Sequence, residues 1–220
     1  MCGIVWAVAE RNIANILLEG LKRLEYRGYD SAGLTVIRNG ELHRERQVGK
    51  VQALVDAVAV NPEFFDGHIG IAHTRWATHG EPAQRNAHPH VSGKIAVVHN
   101  GIVENYAELK EELIAKGYEF TSQTDTEVVA HLINDIYKNK PDLLEAVRAV
   151  IPLLHGAFAL GIVHIDCPDE LITVRLGSPL VIGVGIGENF IASDQLALLP
   201  VTNRFMYLEE GDIAKLTRNS

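Results

Sequence analysis

The chain has 220 residues, of which 47% are hydrophobic and 22% are charged, and its formal net charge at pH 7 is −8. This composition excludes disordered, collagen-like and coiled-coil chains, and the length is sufficient for one domain with a sizeable hydrophobic core. A negative net charge repels phosphate groups and anionic lipids, so we expect neither a nucleic acid nor a membrane surface as a partner.

The hydrophobic pattern predicts strands at both ends of the chain with helices grouped between them. The predicted elements are strand Gly3–Ala9, helix Ile13–Arg23, strands Gly33–Arg38 and Glu41–Val48 joined by a hairpin at Asn39-Gly40, helix Val51–Val60, strands His68–His73 and Ile95–His99, helices that begin at the capping pairs Asn105/Glu108 and Thr124/Glu127, helix Leu143–Val150, and short strands from Ala159 to Leu216. Strict strand–helix alternation is absent, which excludes a doubly wound sheet. The pattern favours one α+β domain, residues 1–220, with helices outside two stacked sheets.

The two cysteines, Cys2 and Cys167, are not preceded by a secretory signal, which favours a reducing compartment. The longest stretch without Asp, Glu, Lys or Arg, Ala149–Ile165, contains Pro152 and is too short to span a bilayer. We therefore expect a soluble, cytoplasmic protein. Cys167 has acidic neighbours that raise a thiol pKa, so we interpret it as structural.

Cys2 is the first candidate for a chemical role. Removal of Met1 would give this residue a free α-amine, whose pKa of about 7.7–8.0 suits a general base for its own thiol. The alternative is that Cys2 is a small buried hydrophobic residue, which is the usual place of a free cysteine.

Two polar sequences follow predicted strands. In HTRWATHG, Arg75 offers a planar fork for a carboxylate, Thr78 and His79 add donors, and Trp76 offers an apolar wall. An ordinary surface arginine is an equally good interpretation of Arg75. VVHNG is predicted to be a strand that runs into a turn, and by default its Asn and Gly only satisfy the turn geometry. Alternatively, the Asn100 amide and the Gly101 N–H are candidates for an oxyanion hole.

Five histidines lie close together in the sequence: His73, His79, His88, His90 and His99. A metal site is one interpretation, because His88-Pro89-His90 resembles the spacing of some metal sites, but no acidic residue lies between Arg85 and Asn100 and no Cys-x-x-Cys or His-Glu-x-x-His sequence is present. We favour structural or substrate-contacting histidines and expect no metal and no cofactor.

Eight sequences in order resemble one family: CGIV, LEYRGYDSAG, HTRWATHGEP, NAHPHV, VVHNGIVEN, TDTEV, GSPLVIG and ASDQLALLP. Together they resemble the glutaminase domain of the glutamine–fructose-6-phosphate aminotransferases, which are class II glutamine amidotransferases. The resemblance covers nearly the whole chain. It implies a four-layer αββα sandwich of the N-terminal-nucleophile hydrolases, with two mostly antiparallel sheets between helices.

The resemblance also implies a reaction and roles for individual residues. Glutamine would be hydrolysed to glutamate and ammonia through a thioester on Cys2. Asn100 and Gly101 would form the oxyanion hole, while Arg75, Thr78 and His79 would bind the substrate carboxylate. Asp125 would accept the substrate ammonium, Trp76 would cover the bound glutamine, and Arg27 would shape the wall around the amino terminus.

Two departures from the family pattern lead to further expectations. Trp6 stands where the family has glycine, so the packing or the pocket shape should differ near the nucleophile. The family's sugar-isomerising half, which binds fructose 6-phosphate in a full-length enzyme expected to be a homodimer, does not follow TRNS. Three alternatives remain: a sibling amidotransferase domain, a metallohydrolase built on the histidines, and a binding module whose pocket Trp6 has closed.

Overall fold

The computed structural model describes residues 1–220, which form twelve strands and five α-helices. The strands are β1 (Gly3–Ala9), β2 (Ser31–Arg38), β3 (Glu41–Val48), β4 (Ile69–Arg75), β5 (His90–Ser92), β6 (Ile95–Val103), β7 (Gly156–His164), β8 (Cys167–Leu176), β9 (Val181–Val184), β10 (Glu188–Ala192), β11 (Phe205–Tyr207) and β12 (Ile213–Leu216). The helices are α1 (Ala14–Leu24), α2 (Val51–Val60), α3 (Tyr106–Ala115), α4 (Thr126–Asn139) and α5 (Leu143–Val150).

The strands form two sheets in which all paired neighbours are antiparallel. One sheet has the order β11-β9-β10-β1-β4-β2-β3 and the other has the order β12-β8-β7-β6-β5. Helices α1 and α2 pack on the outer face of the seven-stranded sheet, and α4 and α5, with α3 against α4, cover the five-stranded sheet. The predicted α+β class and its four αββα layers are confirmed. None of the helices has the length and hydrophobicity needed to cross a bilayer.

Strand β1 lies in the middle of the seven-stranded sheet and is buried on both faces. Successive side chains of a strand point to opposite faces, and β1 follows this rule. Val5 and Ala7 pack with the helices α1 and α2, whereas Ile4 and Trp6 pack in the layer between the two sheets. This burial holds the residue before the strand, Cys2, at the end of a rigid element.

Most predicted elements agree with the structure, and β1, β3, α2, α5 and β12 have the predicted bounds. The prediction of a turn at VVHNG was wrong. Asn100 and Gly101 lie inside β6, where they pair with Ala159 and Phe158 of β7. The strand therefore continues past His99, and Gly101 is accommodated in it with a φ of +127°.

The two predicted capping pairs do not form, although both helices begin close to them. The Asn105 side chain bonds His155 N and Leu153 O instead of the first turn of α3. Glu127 accepts hydrogen bonds from the backbone of Thr121 and Ser122 and not from Thr124. Longer-range contacts replace the local cap in each case.

Candidate active site

The amino-terminal strand is fixed at its start by two hydroxyl groups from neighbouring strands. The Gly3 N–H donates to Thr74 Oγ1 at 3.0 Å, and the Ile4 N–H donates to Ser193 Oγ at 3.1 Å. Ser193 Oγ also accepts from Arg27 Nη1 at 3.2 Å, so the arginine is linked to the same strand. Cys2 is thereby positioned from both sides of β1.

The Cys2 thiol lies at the end of β1 beside the residue that follows β4. The Trp76 N–H donates to Cys2 Sγ at 3.2 Å. Burial raises the pKa of the thiol above its usual value, and the Trp76 hydrogen bond opposes this shift by stabilising the thiolate. A base close to Cys2 is therefore needed for a high thiolate fraction at neutral pH.

The side chain of Asn100 contacts the nucleophile's residue directly. Its Nδ2 donates to the Cys2 carbonyl oxygen at 3.0 Å, and its Oδ1 lies 3.0 Å from His73 Nε2. One Nδ2 hydrogen is used in this contact, which leaves the second for a ligand. Gly101 is the next residue of β6. A Cβ at this position would lie 2.1 Å from the carbonyl oxygen of Ala157, so only glycine fits.

The Arg75 side chain is buried and holds the segment that follows β4, which we call loop 76–81. Its Nη1 donates to Asp30 Oδ1 at 3.4 Å and to Glu81 O at 3.2 Å, and its Nη2 donates to His79 O and to Gly80 O at 3.2 Å. Asp30 Oδ2 also accepts from the Ala77 N–H. These contacts use the four Nη hydrogens of the guanidinium.

Loop 76–81 carries three of the residues that the sequence singled out. Trp76 is 55% exposed, at the rim of the site. Thr78 is exposed, and His79 is partly buried with its Nδ1 lying 4.0 Å from Asp125 Oδ1. The loop thus places donors and an indole over the space next to Cys2.

Asp125 is buried, directly before α4. Its Oδ2 accepts the Val103 N–H at 2.8 Å, and its Oδ1 is on the side of His79. The preceding segment is held by Glu127, whose carboxylate accepts from both the N–H and the hydroxyl of Thr121 and of Ser122. Although burial of Glu127 acts in the opposite direction, these bonds and His131 lower its pKa to about 2.

A cavity of about 410 Å³, here called the Cys2 cavity, lies between these elements. Its lining includes all nine predicted site residues: Cys2, Arg27, Arg75, Trp76, Thr78, His79, Asn100, Gly101 and Asp125. The size is in the range of small-molecule sites. The fold thus brings together, around one space, residues that are up to 123 positions apart in the chain (Cys2 to Asp125).

Several further residues of the cavity were not singled out from the sequence. Ser193 and Ser178 lie within ASDQLALLP and GSPLVIG, which were used only for the resemblance, and Ser178 Oγ donates to Asn100 O at 3.3 Å. Thr74 and Asp30 act from outside the cavity lining. Hydroxyl and carboxyl groups inside recognisable motifs were the available signal for all four.

Four of the five clustered histidines, His73, His88, His90 and His99, form a buried group, and two of them, His88 and His99, line the cavity. His73 stacks on His88 with ring centroids 4.0 Å apart, and both His88 and His99 contact Thr126 Oγ1. Burial lowers the pKa of all four, to about 3 for His73 and His90. One nitrogen of each ring contacts a hydroxyl, amide or carbonyl oxygen, whereas His73 Nδ1 and His99 Nε2 have no hydrogen-bond partner. No group of three or more His, Cys, Asp or Glu side chains is arranged to bind a metal ion.

Trp6 does not line the Cys2 cavity. Its indole is fully buried between the sheets, over Gly161 of β7, where a Cβ would lie 2.2 Å from Trp6 Cε2. The space for the indole is provided by this glycine. The hypothesis that Trp6 closes the pocket therefore has no support in the geometry.

Cys167 lies on β8, outside the cavity, beside Tyr137. Its pKa is raised, as expected, but burial is the largest cause and the neighbouring carboxylates of Glu170 and Asp166 are smaller ones.

The comparisons with known proteins agree with this arrangement. Residues 73–200 match the family model described as a glutamine amidotransferase domain. The whole chain is 71% identical to glutamine–fructose-6-phosphate aminotransferase (isomerizing) of Acinetobacter baylyi and 62% identical to the Escherichia coli protein of the same name. In each case it covers 36% of the relative, so the chain spans about a third of the length of these proteins.

Among solved structures, the glutamine phosphoribosylpyrophosphate amidotransferase of B. subtilis, complexed with ADP and GMP, superposes with a TM-score of 0.83. The identity is 26%, over 98% of this chain and 47% of that one. A class II glutamine aminotransferase domain protein of Silicibacter pomeroyi, 13% identical with a TM-score of 0.66, shares the fold over both full lengths. The chain belongs to the class II glutamine amidotransferase domain family.

Proposed function

We propose that this chain hydrolyses the side-chain amide of L-glutamine to L-glutamate and ammonia, with Cys2 as the nucleophile. The observation that carries the proposal is the convergence of three groups on one cavity. Cys2 Sγ accepts the Trp76 N–H, Asn100 Nδ2 lies on the Cys2 carbonyl, and the cavity of about 410 Å³ opens beside them. Family membership supports the choice of substrate.

The reaction begins when the thiolate of Cys2 attacks the carboxamide carbon. The negative charge on the amide oxygen is stabilised by Asn100 Nδ2 and the Gly101 N–H, and one such donor is worth about 10²–10³ in kcat. The C–N bond then breaks, and ammonia leaves with the proton taken from the thiol. Water adds to the thioester, which releases glutamate and returns the proton to sulfur.

The base in this scheme is the α-amine of Cys2, and it exists only after Met1 is removed. While Met1 is attached, the Cys2 nitrogen is an amide that cannot accept a proton at neutral pH. Met1 also lines the cavity, where its amino group donates to Arg27 O at 2.7 Å. Its removal would create the base and enlarge the space for substrate.

Arg75 and Asp125 are proposed to bind the two charged groups of the amino acid. Asp125 Oδ1 is available for the ammonium because Oδ2 is used by Val103. The Nη hydrogens of Arg75 are on Asp30 and on loop carbonyls, so a substrate carboxylate would have to replace carbonyls of loop 76–81. Thr78 and His79 would assist from the loop, Trp76 would cover the substrate, and Arg27 would shape the wall near Cys2.

We propose further that the ammonia serves an aminotransferase in a longer protein. The relatives that are 62–71% identical are named for fructose 6-phosphate, whereas the chain is only 26% identical to the phosphoribosylpyrophosphate amidotransferase of B. subtilis. A sugar-binding half would therefore be the partner, and residues 1–220 would form the glutaminase domain. A homodimer of the full-length enzyme and a cytoplasmic location stay predictions.

The test is glutamate release from glutamine, run together with amino-terminal sequencing of the same sample. We expect activity only in protein that begins with Cys2, loss of activity in Cys2→Ala, and unchanged activity in the matched control Cys167→Ala. A glutamine-like diazoketone should add its mass to the Cys2 peptide. Activity in Cys2→Ala, or in protein that retains Met1, would contradict the proposal.

A further inference from the structure

His73 contacts Asn100 on the side of the amide that is remote from Cys2. Its Nε2 lies 3.0 Å from Asn100 Oδ1 and 3.0 Å from the carbonyl oxygen of His99. Both neighbours are oxygen atoms that accept hydrogen bonds, the second of them necessarily so because it belongs to a peptide group. Nε2 must therefore carry the hydrogen, and the tautomer of His73 is fixed by the backbone of β6.

This tautomer determines which way the Asn100 amide points. With the Nε2 hydrogen facing it, the near atom of the amide must be Oδ1, and Nδ2 must then face the Cys2 carbonyl. If the amide were reversed, its NH₂ group would face the Nε2 hydrogen and its oxygen would face the oxygen of Cys2. Two hydrogen bonds would become two repulsive contacts in a buried place.

The surroundings of His73 keep its ring in this state and orientation. The ring is fully buried and stacks on His88 with an interplanar angle of 10°. His88 is itself fixed because its Nδ1 accepts the His99 N–H at 3.4 Å. Burial, with a smaller contribution from the charge of Arg75, lowers the pKa of His73 to about 3, so the ring is neutral at any pH at which the enzyme would work.

We propose that His73 is a positioning residue that sets the orientation of the Asn100 amide and thereby forms the oxyanion hole. His73 does not line the Cys2 cavity and acts through Asn100. The proposal rests on the proposed glutaminase function. It also gives a role to His73, the first histidine of HTRWATHG. The proposed substrate contacts of Arg75, Thr78 and His79 leave that residue unexplained.

The experiment is a double-mutant cycle between His73 and Asn100 in protein that begins with Cys2. Asn100→Ala should lower kcat about 10²–10³-fold, since it removes one oxyanion donor. His73→Met should lower kcat about 10- to 100-fold while KM changes less than about threefold, because the amide loses its orientation and not its place. The double variant should be no slower than Asn100→Ala, since His73 acts only through that side chain.

Rescue by a conservative variant separates positioning from packing. In His73→Gln the amide NH₂ reaches about the place of Nε2 and can donate to the same two oxygens, so kcat should stay within about fivefold of the wild type. In His73→Asn the donor is one bond too short, and kcat should fall as it does in His73→Met. His164→Met is the matched control, because His164 is also buried and has a lowered pKa, but its Nδ1 accepts the Asp166 N–H and its ring does not contact Asn100; its kcat should be that of the wild type.

Alkylation of Cys2 by iodoacetamide provides a readout that does not use an oxyanion hole. Its rate should be unchanged in His73→Met, which would show that the thiol is intact while amide hydrolysis is slow. Multiplicative losses in the double variant, equal losses in the Gln and Met variants, or a matching loss of alkylation would overturn the proposal. If His73→Met does not fold, the contrast between Gln and Asn decides. Absence of glutaminase activity in the wild type would instead refute the proposed function.

Discussion

Trp6 and Gly161 form a size-complementary pair between the sheets, and this pair gives the sharpest prediction about stability. The indole is fully buried, and a Cβ at position 161 would lie 2.2 Å from Trp6 Cε2 and 2.3 Å from Cζ2. Such distances are far inside van der Waals contact, and the indole is fully enclosed between the sheets. Gly161→Ala should therefore destabilise the protein by about 1–3 kcal/mol through overpacking.

The effect of Gly161→Ala on the free energy of unfolding should no longer be unfavourable once the indole is removed. Trp6→Ala should cost about 3–5 kcal/mol through loss of burial and the resulting cavity. In that background the methyl group added by Gly161→Ala fills part of the cavity and replaces a flexible strand glycine, so the substitution should be neutral or stabilise by up to about 1 kcal/mol. The coupling free energy between the two sites should thus be at least about 1 kcal/mol.

The assay is urea denaturation of the four proteins at one pH, with the free energy of unfolding taken from each curve. Gly183→Ala in both backgrounds is the matched control. A Cβ there meets Thr202 and Leu198, on the opposite face of the seven-stranded sheet from Trp6, so its cost should be the same with or without the indole. Additive effects of Trp6→Ala and Gly161→Ala would refute the reasoning, and a rise in glutaminase activity in Trp6→Ala would show that the indole obstructs the site.

Three further predictions concern pH and backbone geometry. The pKa of His90 is about 3 in the folded protein, below the roughly 6.5 of the unfolded chain. Between these pH values only the unfolded chain takes up the proton, so the free energy of unfolding falls by about 1.4 kcal/mol per pH unit as the pH falls. His90→Met should reduce this slope by that amount in urea titrations from pH 7 to 4.5, and an unchanged slope would contradict the prediction. The pKa of Glu127 is about 2, so its carboxylate contributes stability above pH 4.5 that is lost as the pH falls towards 2. Glu127→Gln should therefore lower the free energy of unfolding by about 3 kcal/mol at pH 7, and it should raise the KM for glutamine by loosening the segment before Asp125. An equal loss of stability at pH 2.5 would count against this prediction. Gly101→Ala should lower the free energy of unfolding by at least about 3 kcal/mol, because it adds a clash with Ala157 to a positive φ. Gly211→Ala, which has a positive φ but open space around the new methyl group, should lower it by only about 1–2 kcal/mol. Thermal unfolding of both variants measures the difference, and equal losses would refute the clash.

The elements that the sequence predicted best are those with local causes. Asn39 and Gly40 have φ values of +52° and +72°, as a tight hairpin turn requires, and the two strands they join pair in register from Arg38 and Glu41 onwards. Helices α2 and α5 likewise begin and end where the hydrophobic period and the flanking polar residues indicate. In each of these places the local preference and the tertiary structure agree.

The failures have non-local causes. Asn100 and Gly101 look like a turn, but pairing with β7 keeps them in a strand, and no pattern near VVHNG reveals that partner. Glu127 follows Thr124 at capping distance, yet the donors of Thr121 and Ser122 take its carboxylate. For the candidate site, the resemblance identified residues that line one cavity, whereas the contacts of His73, Asp30 and Ser193 become visible only when distant strands are brought together.

The position of Met1 has a practical consequence for anyone who prepares this protein. Its amino group is bonded to Arg27 and its side chain lines the same chamber as the thiol, so anything left ahead of Cys2 stands where a ligand would go. Affinity tags fused to the amino terminus should therefore occupy the substrate site and block it. A preparation from which Met1 is incompletely removed would then be a mixture of blocked and active molecules. Its apparent specific activity would report how completely the expression host removes Met1.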